Sequence, residues 1–366
     1  MKIQSPLSGT MICLTDDKIG RGLDVVTCTV EAPCDHPVTV NGTPAVLHNG
    51  IWCVSLPLSQ KKLVLVARDE VTGETDEITV YRLYTPKKVY RLSIDDCVWF
   101  LQDIAQNQDR YQSIFENPYL AMLQRLHGEY GTKFHLNVYL TCPEHGGFVL
   151  SALSDKFRAE WQRVNHWLTL SFHAHANDPG YPYGDADRET VRHDCAAVMA
   201  EIERFAGYRG AVTTLHFAQT TEEGVRGLHD CGVRALLGDF SFNKKGEIQL
   251  CYYASREQFD TVRHNCFWKN PATDMIMFAC DTVLNCMPPE KIREEMDWFN
   301  HSYPDRSFID ILIHEQYFYE DYKYYLPDYE ARMRAGIEWC RAHGYVPGLV
   351  KDVIDFSDPD LVTPIA

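Results

Sequence analysis

Arg91-Leu-Ser-Ile-Asp95-Asp96 is an apolar strand that ends in two adjacent carboxylates. Three later segments follow the same grammar. They are Leu168-Thr-Leu-Ser-Phe-His173-Ala-His175, Ala211-Val-Thr-Thr-Leu-His216 and Phe308-Ile-Asp-Ile-Leu-Ile-His314-Glu315. Ligand-type side chains gathered at strand ends are the sequence signature of a metal-dependent α/β barrel, where the loops after the strands build the site.

Working outward from these strands, the chain separates into two patterns. Residues 1–86 read as all-β: Val25-Val-Thr-Cys-Thr-Val, Ile51-Trp-Cys-Val-Ser-Leu and Leu63-Val-Leu-Val-Ala are β-rich runs, divided by the turn signals Asn41-Gly42, Asn49-Gly50 and Thr72-Gly73. Short strands at this spacing predict a small β-sandwich of immunoglobulin-like size. Pro86-Lys87-Lys88 is the expected linker. From 87 to 366 strands alternate with helices, as parallel βα units require. Helices are expected at Asp155 to His166, at Asp187 to Ala206 (closed by Gly207), after a Thr220/Glu223 capping box, after Pro288-Pro289, and at Tyr329 to Ala342. Seven or eight strands with interleaved helices favour a (β/α)7–8 barrel over an open sheet, because no glycine-rich phosphate loop follows the first strand.

Composition narrows the partners. Among 366 residues the formal net charge is −16, which opposes nucleic acid or an anionic membrane as a main partner. No apolar run reaches the ~18 residues of a membrane span, and the N-terminus lacks a secretory core. Thirteen cysteines without a repeated C-x-x-C spacing, several in apolar or helical contexts (Cys97, Cys195, Cys280), point to reduced thiols and a cytoplasmic location.

The chemistry of the strand ends is explicit. Two neighbouring carboxylates resist joint ionisation unless a cation neutralises one, which suggests one Asp for a metal and one as general base for water. His173 and His175, as alternate residues, share one strand face, so both could bind one metal. His314 could protonate a leaving amine or complete a metal shell, and His216 is similarly placed. Asp239 and Asp281 also follow apolar runs and are supporting candidates. The loop Asn177-Asp-Pro-Gly-Tyr-Pro-Tyr183 could wall the pocket. Tyr317 opens an aromatic run, Tyr317 to Tyr325, of the kind that stacks on sugar rings.

Together these residues resemble the polysaccharide deacetylase family of glycoside hydrolase/deacetylase barrels, over about residues 89–350. Ser93-Ile-Asp95-Asp96 looks like its first motif, Ser171-Phe-His173-Ala-His175 falls at its metal-histidine motif, and Leu312-Ile313-His314 looks like its late Leu-x-His motif. The resemblance implies Asp95 as general base, Asp96 as metal ligand and His314 as general acid. The sequence departs from the family at Asn177, where a second histidine would stand, and at Cys97, where a glycine would. The second histidine ligand is therefore His175 or His216.

The expectation is a divergent bacterial metal-dependent hydrolase that removes acetyl groups from amino sugars or related amides. Asp96 and His173, with His175 or His216, would hold a divalent ion: zinc by default, with nickel, cobalt or iron also suited to these donors. Tyr183, Glu315 and Tyr317 would contact a carbohydrate substrate. The alternatives are a glycoside hydrolase pairing Asp95 or Asp96 with Glu315, an amidohydrolase-like or phosphoesterase barrel built on the His-x-His pair, and a non-catalytic carbohydrate-binding barrel.

Overall fold

A computed structural model of the protein describes residues 1–178 and 182–362. Near the N-terminus, Lys2–Ser5, Val25–Glu31, Ile51–Pro57 and Val46–His48 form a four-stranded antiparallel sheet. Period-two burial along Val25–Glu31 turns Val26, Cys28 and Val30 into a core shared with Leu56, Leu65 and Val80. Both Asn-Gly turns form as expected, with positive φ at Asn41, Gly42, Asn49 and Gly50. One short helix, Asp16–Gly20, interrupts the otherwise all-β unit; Thr15 caps it.

The second sheet of this unit does not stop at residue 86. Thr10–Leu14 pairs with Thr75–Tyr84 on one side and with Phe267–Lys269 on the other, and Phe267–Lys269 pairs with Ile276–Ala279. A single nine-stranded sheet thus runs from the N-terminal strands into the βα region. Gly9 makes the junction tight: a Cβ there would lie 1.8 Å from the Lys269 carbonyl oxygen.

The βα region supplies the strands that position the site. We number them β1 (Lys88–Cys97), β2 (Phe134–Tyr139), β3 (Leu168–Ala174), β4 (Val212–Thr214), β5 (Ala235–Gly238), β6 (Ile276–Ala279), β7 (Thr282–Val283), β8 (Phe308–His314) and β9 (Tyr345–Pro347). Parallel ladders give two arcs. One has the order β3-β2-β1-β8-β7, with β9 paired to the start of β1; the other is β4-β5-β6. The chain crosses between arcs in the short step from β6 to β7.

The expected closed (β/α)7–8 barrel is not what the ladders form. Among the described residues no backbone ladder joins β3 to β4. Side chains fill that seam instead: the Thr213 hydroxyl donates to the Phe172 carbonyl, and His173 Nδ1 lies 2.5 Å from the Thr214 carbonyl oxygen.

The helices follow their end signals closely. Arg188–Ala206 is capped by Asp187 and closed by Gly207 at φ 82°, and Tyr329–Ala342 and Pro289–Ser302 stand where expected. The charged segment forms a shorter helix than expected, Arg158–Val164. The helix Glu222–Asp230 is capped by Thr221 rather than Thr220. Thr221 Oγ1 accepts the Gly224 N–H at 3.0 Å, and Thr220 packs behind it on Gly224. No helix among the described residues is long and apolar enough to cross a membrane.

Candidate functional site

Two local irregularities aim the key side chains. Against β2, the register of β1 steps from Ile94 paired with Leu136 to Cys97 paired with Val138, so Asp95-Asp96 contains one extra residue. This β-bulge, with Asp96 at φ 59°, lets two sequence neighbours face the same cavity when a regular strand would separate them. The second bulge lies next door. Val138 pairs with Phe172 but Tyr139 pairs with Ala174, which makes His173 the extra residue of β3. His216 follows β4, and the next two residues, Phe217 and Ala218, again have positive φ. Backbone strain of this kind concentrates at functional sites.

These three turns bring Asp96, His173 and His216 together, all buried, with one ligand atom from each within 4.8 Å of the others. His173 Nε2 lies 3.2 Å from Asp96 Oδ1, and His216 Nδ1 is 3.2 Å from His173 Nε2. The Thr214 carbonyl accepts the proton of His173 Nδ1, which leaves Nε2 as the nitrogen that faces the cluster. Burial opposes charge on Asp96, but hydrogen bonds from His173 and His216 and the nearby His314 hold its carboxyl well below the usual range. Burial also works against a charged His173, yet Asp95 and Asp96 raise it; burial lowers His216. One carboxylate and two imidazoles form a donor set that fits a divalent transition cation.

Around the cluster lies a cavity of about 420 Å³, lined by Asp95, Asp96, His173, His216, His314 and Tyr317 among others. Asp95 Oδ1 accepts a 2.7 Å hydrogen bond from Asn137, whose amide also reaches Thr214 Oγ1 at 3.2 Å. Asp95 and His314 are register partners on β1 and β8. His314 Nδ1 is 2.9 Å from Asn285 Oδ1, an acceptor that fixes this nitrogen as the protonated one.

Three expected site residues lie elsewhere. His175 comes after β3 has ended at Ala174, so strand alternation no longer applies. Its side chain is exposed, 3.6 Å from Asp194, and outside the cluster. Tyr183 is buried, donates to Asp194 and accepts the His175 N–H, and does not line the cavity. Pro179, Gly180 and Tyr181 of the expected wall loop lie outside the described residues.

Glu315 is wholly buried and serves the backbone. The helix Trp99–Asn107 begins at Val98, which has no side chain able to cap it. Glu315 accepts the N–H groups of Val98, Trp99 and Phe100 at 2.6, 3.1 and 2.7 Å, together with the Tyr319 hydroxyl at 2.7 Å. Burial pushes its carboxyl up to about 7 against these bonds. The glycosidase pairing of Asp95 or Asp96 with Glu315 therefore lacks its second carboxylate. Asp281 is likewise structural, 3.0 Å from Arg306. The aromatic run divides: Tyr317 and Tyr322 line the cavity, while Phe318 and Tyr319 pack on Tyr119.

The sequence reading missed Tyr139 and Asn137. Tyr139 is buried, donates to Asp96 and lies 3.0 Å from His216 Nδ1. Their signal was available: His135-Leu-Asn137-Val-Tyr139 alternates polar and apolar, which sends every polar side chain to one face. Asn285 carried no comparable signal.

No family model matches the sequence, and no curated protein matches it. Solved structures do match. Several of them are described as family 4 or CE4 esterase domains, CE4 pseudoenzymes or deacetylases, all at low sequence identity. A family 4 acetyl xylan esterase from Clostridium thermocellum, solved with a cobalt ion, is 13% identical with a TM-score of 0.40; the match covers 76% of this chain and all of that one. A CE4 family pseudoenzyme from Bacillus anthracis is 9% identical with a TM-score of 0.37, over 74% of this chain and 67% of that one. A 4-alpha-glucanotransferase from Thermococcus litoralis is 12% identical with a TM-score of 0.41, over 70% and 38%. The functional reading rests on the site's own residues.

Proposed function

We propose that the protein is a metal-dependent hydrolase that cleaves an acyl group from an amine. The observation that carries this reading is the buried cluster of Asp96, His173 and His216, opening into a cavity that also holds Asp95 and His314. A divalent cation bound there would polarise the substrate carbonyl and lower the pKa of water. Asp95, oriented by Asn137, takes a proton from water as the oxygen adds to the acyl carbon. His314, starting as the imidazolium with its Nδ1–H held by Asn285, gives its Nε2 proton to the amide nitrogen as the C–N bond breaks. The products are a carboxylic acid and a free amine, and the proton held by Asp95 returns His314 to its starting state through solvent.

The test is elemental analysis of the purified protein after incubation with zinc, nickel or cobalt, repeated on Asp96→Ala and His216→Ala. About one equivalent of metal in the wild type, lost in both variants, is expected. Activity on an acetylated amine should fall about a thousandfold or more in the same variants. Wild-type protein that takes up none of the three metals would sink the reading.

A further inference from the structure

The two arcs contribute different chemistry to the cavity wall. Asp95, Asp96 and His314 come from β1 and β8. Across from them, β5 ends at Gly238 and the next residue, Asp239, lines the cavity from the other arc. Asp239 is half-buried, and no hydrogen bond or ion pair to it is found among the described residues. No lysine or arginine lines the cavity either. A carboxylate in partial desolvation beside apolar side chains is stabilised when a cation reaches it. Leu237, Leu250, Val283 and Leu312 give the same cavity an aliphatic part.

We propose that the cavity selects a small N-acyl amine whose leaving portion carries a second, free ammonium group, and that Asp239 binds this ammonium. This rests on the amide-hydrolysis reading above and names its substrate. The volume of about 420 Å³ falls in the range of small-molecule sites. Its aliphatic part, Leu237, Leu250, Val283 and Leu312, suits a hydrocarbon spacer. With no lysine or arginine among the lining residues, Asp239 is left to meet a cation brought by the substrate, and the chain's net charge of −16 favours the approach of one. On cleavage the acyl carbon gains the water oxygen, and the nitrogen leaves as the second amine of a diamine.

The zinc-loaded protein is assayed on N-acetyl-1,5-diaminopentane, on the isosteric N-hexylacetamide and on N-acetylglucosamine oligomers. The cationic amide should be preferred over N-hexylacetamide by about 10- to 50-fold in kcat/KM, the range of a partly desolvated ion pair. Asp239→Asn should remove that preference. Equal rates on the two amides, a preference for the sugar oligomer, or an equal loss on both amides in Asp239→Asn would each overturn the proposal. If zinc binds and none of the three is cleaved, the hydrolysis reading fails separately. Calorimetry with 1,5-diaminopentane then decides the role of Asp239: binding lost in Asp239→Asn supports it, and no binding to the wild type overturns it.

Discussion

The arc β3-β2-β1 and the arc β4-β5-β6 turn opposite chemistry toward the interior. The first presents Thr169, Ser171 and His173, then His135, Asn137 and Tyr139, then Arg91, Ser93 and Asp95, every one of them buried. The second presents Val212, Ala235, Leu237, Ile276 and Phe278, which join Val89, Phe308 and Leu312 in one apolar cluster. Buried polar groups favour partners: Arg91 pairs with Asp310 of β8 at 2.6 Å, and Asn137 with Asp95 and, across the seam, Thr214, while His135 Nε2 and Ser171 Oγ find none. The second arc carries fewer such groups: Thr213 bonds to the Phe172 carbonyl and Thr214 to Asn137 across the seam, and the rest supplies packing. Polar and apolar side chains are thus weighted toward opposite halves of one interior, and His216, at the end of β4, joins the polar cluster from across the seam.

That division can be broken from either side. Phe278 is fully buried against Phe267 and Phe308, so Phe278→Ala should cost about 3–5 kcal/mol of stability. Chemical denaturation should show it, while the metal content of the folded protein stays near the wild-type value. A loss of metal without a loss of stability would reverse the assignment of the arcs. On the polar arc, Tyr139→Phe removes the hydroxyl that donates to Asp96 and keeps the ring. Metal affinity should fall about 10- to 100-fold, read by competition with a chromophoric chelator, with a small change in Tm.

The subtlest contrast is in pH. Burial pushes Asp310 up to about 7, with the Arg91 guanidinium pulling the other way. An unfolded Asp titrates near ~3.9, so the native state holds this proton more tightly. The group's contribution is full below the unfolded value and is lost as pH rises through the folded one. The Tm gap between wild type and Asp310→Asn should therefore narrow from about pH 4 to about pH 7. A gap that widens over this range would mean that Arg91 keeps Asp310 charged throughout.

The order of strands and helices was legible because periodicity and end signals are local. Gly207, Pro288-Pro289 and the two Asn-Gly turns each mark a boundary by backbone chemistry alone. Asp96, His173 and His216 were legible as residues, but their meeting depends on two bulges, and a bulge is set by pairing across strands rather than by any one segment. His175 misled for the same reason, since alternation holds only while the strand lasts. Glu315 misled because its partners lie 215 to 217 residues earlier in the chain. The open seam between β3 and β4 was invisible, because strand-like sequence does not reveal which neighbour a strand will lack.

Glu315 also has a geometric consequence. It follows His314 directly, and it fastens the end of β8 to the helix that begins just after Asp95 and Asp96. Asp95 and His314 are held opposite each other by the ladder between β1 and β8, and Glu315 adds three hydrogen bonds from main-chain N–H groups that tie the same strand end to that helix. Under the proposed mechanism, the loops around the cavity could change while the ladder and these bonds keep the spacing of the two side chains. A scaffold wired in this way can drift in specificity while its working core keeps a constant gauge.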